Sequence, residues 1–223
     1  MDDGFSEEWD ATYRGAKHLS VWPWSDVVSW VMGHARPSEG FTRVLEIGCG
    51  AGANIPLFQA LGAEYWAIEG SPSAVARLHE AFADLRERIV VGDFTRMLPG
   101  EGEFDLILDR SSLTHNTTEA IRRGLALAAG RLRSGGKFLG IDWFSTAGDE
   151  AGLGTAVDAH TRRDIDSRRF GGVGNVHFSD FDHLADLVGG AGLRLEHCVH
   201  KQFDVRLPEP SRYAMWNFIA VKP

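Results

Sequence analysis

The chain has 223 residues, 43% hydrophobic and 24% charged, enough for one soluble α/β domain with a sizeable core. A formal net charge of −8 and the lack of a basic stripe argue against nucleic acid as a partner. No run approaches the roughly 20 apolar residues that span a bilayer. The acidic start Met1-Asp2-Asp3-Gly4-Phe5-Ser6-Glu7-Glu8 lacks signal-peptide character, so no membrane role and a cytoplasmic location are expected. Cys49 and Cys198 are expected as free thiols.

Residues 1–42 read as an aromatic leader carrying Trp9, Tyr13, Trp22 and Trp24, with a helix over Ser25–His34. Val44–Ile47 is a short buried strand, Ala53–Leu61 a helix and Tyr65–Glu69 a second strand. Ser71-Pro72 supplies a cap and a first-turn proline for a helix reaching about Leu85. Strands follow at Arg88–Val91 and Phe104–Asp109. Thr118–Leu132 has a helical apolar face of Ile121, Leu125, Ala128 and Leu132, stopped by Ser134-Gly135-Gly136 before a strand at Lys137–Asp142. Residues 143–180 are rich in Gly, Asp and Arg and show no period. A helix at Phe181–Val188 and an antiparallel strand pair, Arg194–Phe203 and Tyr213–Val221, close the chain. This alternation predicts a parallel sheet covered by helices, in one domain over 1–223. Within it, 1–42 serves as leader or lid and 143–180 as a substrate-covering insertion.

The segment Val44-Leu45-Glu46-Ile47-Gly48-Cys49-Gly50-Ala51-Gly52-Ala53 is strand, tight turn and helix start. It fits G-x-G-x-x-A, a pattern that alone does not separate a dinucleotide from another ligand at the strand's carboxyl end. Its neighbours discriminate. Glu46, inside the strand, would repel a pyrophosphate but attract an ammonium or sulfonium. Glu69 ends the second strand, where a carboxylate can accept both hydroxyls of a ribose. Gly92-Asp93-Phe94 ends the third, where an acid can accept from an adenine amino group and a ring can pack on the base.

With Ile68-Glu69-Gly70-Ser71, Phe104–Asp109 and Leu132–Asp142 in the same order, the chain resembles the class I S-adenosylmethionine-dependent methyltransferases over about 100 residues. The resemblance implies a Rossmann-like, seven-stranded, mostly parallel sheet with an antiparallel last strand and helices on both faces. It implies S-adenosyl-L-methionine as cofactor and S-adenosyl-L-homocysteine as product. Gly48, Gly50 and Gly52 would line the methionine part, Glu69 would hold the ribose, and Asp93 with the Phe94 backbone would hold adenine. Residues flanking these positions complete the candidate cofactor set: Glu46, Cys49, Asn54, Gly70, Ser71, Gly92, Asp109 and Arg110. Tyr13 and Trp24 join it from the leader as lid residues, whereas Trp22 and Trp30 are expected in the core.

Methyl transfer is an in-line displacement driven largely by positioning, so no nucleophile motif is expected. After the fourth strand, His115 is the candidate acceptor contact or general base, against a plain structural role. Asp109 is a candidate for the chemistry or a cap, and Asp142, Trp143 and His177 are candidates for the substrate side. Arg162, Arg163, Arg168 and Arg169, interleaved with Asp158, Asp164 and Asp166, read as a solvated helix face ahead of an anion clamp. His177-x-x-Asp180-x-x-His183 lacks a supporting cluster, so no metal is expected.

The expected reaction is methylation of oxygen or nitrogen on a small molecule, such as a sugar or secondary metabolite, by a monomer or homodimer. Two alternatives stand beside it. A nicotinamide-dependent oxidoreductase is disfavoured by Glu46, by Gly92-Asp93 and by the lack of a Tyr-x-x-x-Lys pair. A non-catalytic S-adenosylmethionine-binding protein shares every feature above.

Overall fold

The computed structural model describes residues 7–15, 20–35 and 42–223; His18 and Leu19 of the leader lie outside the described residues. The elements in order are α1 (Glu7–Arg14), α2 (Ser25–His34), β1 (Arg43–Ile47), α3 (Ile55–Ala60), β2 (Glu64–Glu69), α4 (Pro72–Ala81), β3 (Ile89–Val91) and β4 (Phe104–Arg110). Then come α5 (Thr118–Arg131), β5 (Leu132–Phe144), β6 (Thr155–Ala156), β7 (Thr161–Arg163), β8 (Val176–His177), α6 (Phe181–Gly190), β9 (Arg194–Val205) and β10 (Ser211–Val221).

Seven strands form one sheet in the order β3-β2-β1-β4-β5-β10-β9. Pairing is parallel from β3 to β5 and antiparallel for β10 against both neighbours, as the sequence pattern predicts. One face is closed by α5 and α6, through Ile121, Leu125, Leu184 and Leu187 packed on Leu45, Ile47 and Ile107. The other is closed by α2, α3 and α4, through Val31, Ile55, Phe58 and Leu78 packed on Val44, Leu106 and Leu108. Each such side chain, fully buried, contributes about 1.5–3 kcal/mol of transfer free energy.

Local chemistry explains where the helices begin. Ser71 Oγ accepts from Ala74 N at 3.1 Å with Pro72 in the first turn. Asp180 accepts from His183 N at 2.8 Å to start α6. The helix expected from Ala53 starts two residues later, because Asn54 is held instead by Glu46 and by the Trp24 backbone.

Three expectations change. Residues 143–180 are not featureless: β6, β7 and β8 form a small antiparallel sheet over a satellite core of Phe144, Ile165, Phe170, Val173, Phe178 and Met215. Arg162 and Arg163 therefore sit on a strand, not a helix face. Trp22 is 76% exposed rather than core, while Trp30 is half-buried against the α2 side.

Candidate active site

The carboxyl ends of β1, β2, β4 and β5 open into a cavity of about 490 Å³, within the range of small-molecule sites. Its floor is the loop after β1. Gly50 has φ 54°, and a Cβ there would lie 2.5 Å from the Tyr13 hydroxyl, so only glycine fits under that ring. Gly52 answers to packing instead: a Cβ would meet Leu78 at 2.5 Å, and the residue does not line the cavity.

Two buried carboxylates flank the loop. Glu69 accepts from Gly50 N at 2.8 Å and Ser71 N at 2.9 Å, one on each oxygen, and faces the cavity. Burial raises its proton affinity and the backbone bonds oppose that shift. Glu46 accepts from Tyr65 Oη at 2.6 Å and Asn54 Nδ2 at 2.8 Å. Burial pushes its pKa up to about 7. Burial also pushes the Cys49 thiol well above the usual range, so this cavity residue stays protonated and is no nucleophile.

The leader forms the roof. Asp10 on α1 accepts from Ser71 Oγ at 2.6 Å and Ser73 N at 3.1 Å, which pins α1 over the start of α4. That contact brings Trp9 and Tyr13 to the cavity wall. Trp24 arrives from the start of α2, with the Arg110 guanidinium 3.7 Å over its ring. Arg110 pairs with Asp142 at 2.8 Å, and Asp142 pairs in turn with Lys201 at 2.7 Å, which also contacts Asp26. Arg110 Nε is buried without a hydrogen-bond partner. It is a donor waiting for an acceptor.

His115 follows β4 and packs edge-on against Trp9, at 4.8 Å, and Phe144, at 5.5 Å. Its Nδ1 lies 3.0 Å from the Asn175 carbonyl, which can only accept, so Nδ1 carries the proton. In the neutral ring Nε2 is then the basic nitrogen.

The structure gathers Tyr13, Trp24, Glu46, Gly48, Cys49, Gly50, Asn54, Glu69, Phe94, Arg110, His115 and Asp142 around this one cavity. It places the others elsewhere. Gly70, Ser71 and Gly92 lie behind the wall, where Ser71 serves as the cap of α4. Asp93 accepts from Thr95 N at 2.9 Å and Oγ1 at 2.7 Å and pairs with Arg96, so its carboxylate is engaged in its own turn.

Asp109 is a correction. It is fully buried, accepts from Leu113 N at 2.9 Å and Trp143 Nε1 at 2.6 Å, and positions the turn after β4 instead of lining the cavity. Trp143 is the second correction, and a bulge explains it. Trp216 pairs with Trp143 but Phe218 pairs with Gly140, so Ile141 and Asp142 together oppose Asn217. Asp142 takes φ 56° and donates its N–H to Asn217 Oδ1 at 2.9 Å. The bulge breaks the alternation: Trp143 joins Phe138, five residues earlier, in the same core, while Asp142 reaches the cavity.

His177 is the third correction. It is fully buried on β8, its Nδ1 3.0 Å from Thr161 Oγ1 and its Nε2 3.1 Å from His183 Nε2, outside the cavity wall. His183 stacks on His160 at 3.5 Å. Among the described residues, no group of three or more His, Cys, Asp or Glu is arranged to hold a metal ion. Burial lowers the His177 pKa to about 3. A base depressed in the folded state contributes stability that is complete above the unfolded value near 6.5 and is lost as pH falls toward 3. Folding free energy should therefore drop by roughly 2 kcal/mol between pH 6.5 and 5 through this group. Urea unfolding of His177→Gln should show a flatter acid limb, and an unchanged slope would contradict that role.

Several wall residues are not among the candidate site residues, although Arg169 belongs to the run that also admits an anion clamp. Asn116 follows β4 with its Oδ1 buried and unpartnered, and Phe144, Arg169, Phe170 and Val173 come from the insertion.

Residues 44–136 match the methyltransferase-domain family. That segment belongs to this family. It spans β1 to the turn in β5 and contains the glycine loop, Glu69 and His115. No curated protein sequence matches the chain. Among solved structures, an S-adenosylmethionine-dependent methyltransferase of Methanosarcina mazei is similar with TM-score 0.68 at 14% identity, covering 90% of this chain and 98% of that one. The 1,6-didemethyltoxoflavin-N1-methyltransferase of Burkholderia thailandensis, with its acceptor and S-adenosylhomocysteine bound, gives TM-score 0.65 at 20% identity, covering 97% and 86%. Magnesium protoporphyrin IX methyltransferase of Synechocystis, with S-adenosylmethionine bound, gives 0.56 at 15% identity, covering 97% and 80%. The fold is thus that of the class I S-adenosylmethionine-dependent methyltransferases. No helix among the described residues is long and apolar enough to cross a membrane.

Proposed function

We propose that the chain transfers a methyl group from S-adenosyl-L-methionine to an oxygen or nitrogen of a small molecule, with His115 as acceptor contact or general base. The observation that carries this reading is the pair of buried carboxylates, Glu46 and Glu69, on either side of the glycine loop. Such a floor suits a cationic ligand with a vicinal diol and would repel a pyrophosphate, which disfavours a nicotinamide dinucleotide. The cavity also fits the cofactor at its other end, where the unpartnered Arg110 Nε suits an amino-acid carboxylate. Glu69 would hold the ribose, Phe94 would pack on the base, and Trp24 with Tyr13 would cover the methionine part.

When bound, the cofactor supplies an electrophilic methyl on a sulfonium, which departs as a neutral thioether. The chain's own residues do the rest. Glu46 ionises more readily beside a cation, which offsets the burial that raises its pKa. The Asn175 carbonyl holds His115 in the tautomer whose Nε2 accepts the proton of an attacking hydroxyl, or of the methylated ammonium that an attacking neutral amine becomes, to be released to solvent after the product leaves. Trp9, Phe144 and Phe170 exclude water from the acceptor side.

The test is incubation with S-adenosylmethionine labelled in its methyl group and a panel of phenols, amines, hydroxy acids and sugars, read by mass spectrometry. A labelled product formed together with S-adenosylhomocysteine supports the reading. Binding of S-adenosylhomocysteine without turnover of any class would favour the non-catalytic alternative.

A further inference from the structure

Arg169 is a cation held by aromatic rings and not by a paired carboxylate. The guanidinium carbon lies 5.2 Å from the Phe144 ring centroid, 5.1 Å from that of Phe170 and 4.7 Å from that of Tyr213. Among the described residues its one hydrogen bond runs from Nη2 to Met215 Sδ at 3.2 Å, a weak acceptor for a fork of five donors. None of the ion pairs among the described residues includes it, although it lines the cavity. Arg110, the other cavity arginine, pairs with Asp142 at 2.8 Å. Burial lowers the proton affinity of Arg169, and the nearby Glu150 and Asp142 oppose that shift. With no carboxylate hydrogen-bonded to it, most of the guanidinium fork is left for a ligand acceptor to fill.

The walls beside it are flat and aromatic. Phe144 touches both Arg169 and His115, and Trp9 packs on the far side of His115. We propose that the methyl acceptor is a planar aromatic carboxylate. Arg169 grips its carboxylate, Trp9, Phe144 and Phe170 flank its ring, and its hydroxyl or amine faces His115. This rests on the methyltransferase reading and extends it to the acceptor's class. A single planar carboxylate matches the guanidinium fork. A phosphate dianion suits the site less well, because Asp142 and the buried Glu150 already couple to Arg169 and would repel a second charge.

The test uses the full chain saturated with S-adenosylhomocysteine. It is titrated calorimetrically with ortho-, meta- and para-hydroxybenzoate, with anthranilate and with the carboxamide of each. At least one acid should bind about ten- to a hundredfold more tightly than its amide, the scale of hydrogen bonds to a charged group. Arg169→Met keeps the packing stem and should erase that preference while leaving S-adenosylhomocysteine affinity unchanged. Arg169→Lys, which keeps the charge and loses the fork, should retain part of it.

Equal binding of acid and amide, or no binding by any acid, overturns the proposal while the cofactor reading stands. Loss of S-adenosylhomocysteine affinity in Arg169→Met overturns it too, because the fork would then serve the cofactor. Failure of the wild-type chain to bind S-adenosylhomocysteine is a separate result and strikes the underlying reading.

Discussion

Replacing Glu69 with alanine should weaken S-adenosylhomocysteine binding by about a hundredfold or more, because two hydrogen bonds from ribose hydroxyls to a charged acceptor disappear together. The same carboxylate also orders the glycine loop, one oxygen accepting from Gly50 N and the other from Ser71 N. Glu69→Gln separates charge from shape. Whichever way the amide turns, its NH2 meets a backbone N–H that now lacks an acceptor, so glutamine should lose most of the affinity despite its size. Burial raises the Glu69 proton affinity, so affinity should begin to fall at a higher pH on acidification than an exposed carboxylate would dictate. Calorimetry across pH 5–8 measures all three effects. Wild-type affinity in Glu69→Ala would remove this residue from the site.

His115→Ala should lower kcat by about 10²–10⁴-fold on a hydroxyl acceptor, the usual contribution of a positioned base, while S-adenosylhomocysteine affinity changes little. The expectation rests on orientation. The Asn175 carbonyl fixes the Nδ1 proton, and Trp9 and Phe144 hold the ring edge-on. His115→Gln should not rescue, since an amide has no comparable basicity. A loss confined to KM would assign His115 to acceptor contact, and unchanged kinetics would remove it from the reaction.

The scaffold was legible because its signals are local. The alternation of buried strands with amphipathic helices leads to the observed seven-stranded sheet, and the cap at Ser71 stands in its expected place. Glu46 and Glu69 were legible because strand ends bring their side chains to one sheet edge whatever surrounds them.

What the sequence hid depends on long-range contact. The bulge opposite Asn217 shifts the phase of β5, so that Trp143 shares a core with Phe138 five residues earlier, and nothing in either strand's own pattern announces it. His177 reads as a polar candidate until Thr161 and His183 are seen to satisfy it inside the insertion. Arg169 looks like one charge in a solvated run, and only folding places it among Phe144, Phe170 and Tyr213. Asp109, at a strand end like Glu69, is claimed by Trp143 from the neighbouring strand. Sheet position alone does not decide which of two such acids reaches the cavity.

The most direct measurement is a pair of calorimetric titrations of the wild-type chain, one with S-adenosylhomocysteine and one with NADH. Binding of S-adenosylhomocysteine with one site per chain and no heat from NADH is the predicted result. Tight binding of NADH without response to S-adenosylhomocysteine would contradict the assignment of the floor formed by Glu46, Gly50 and Glu69.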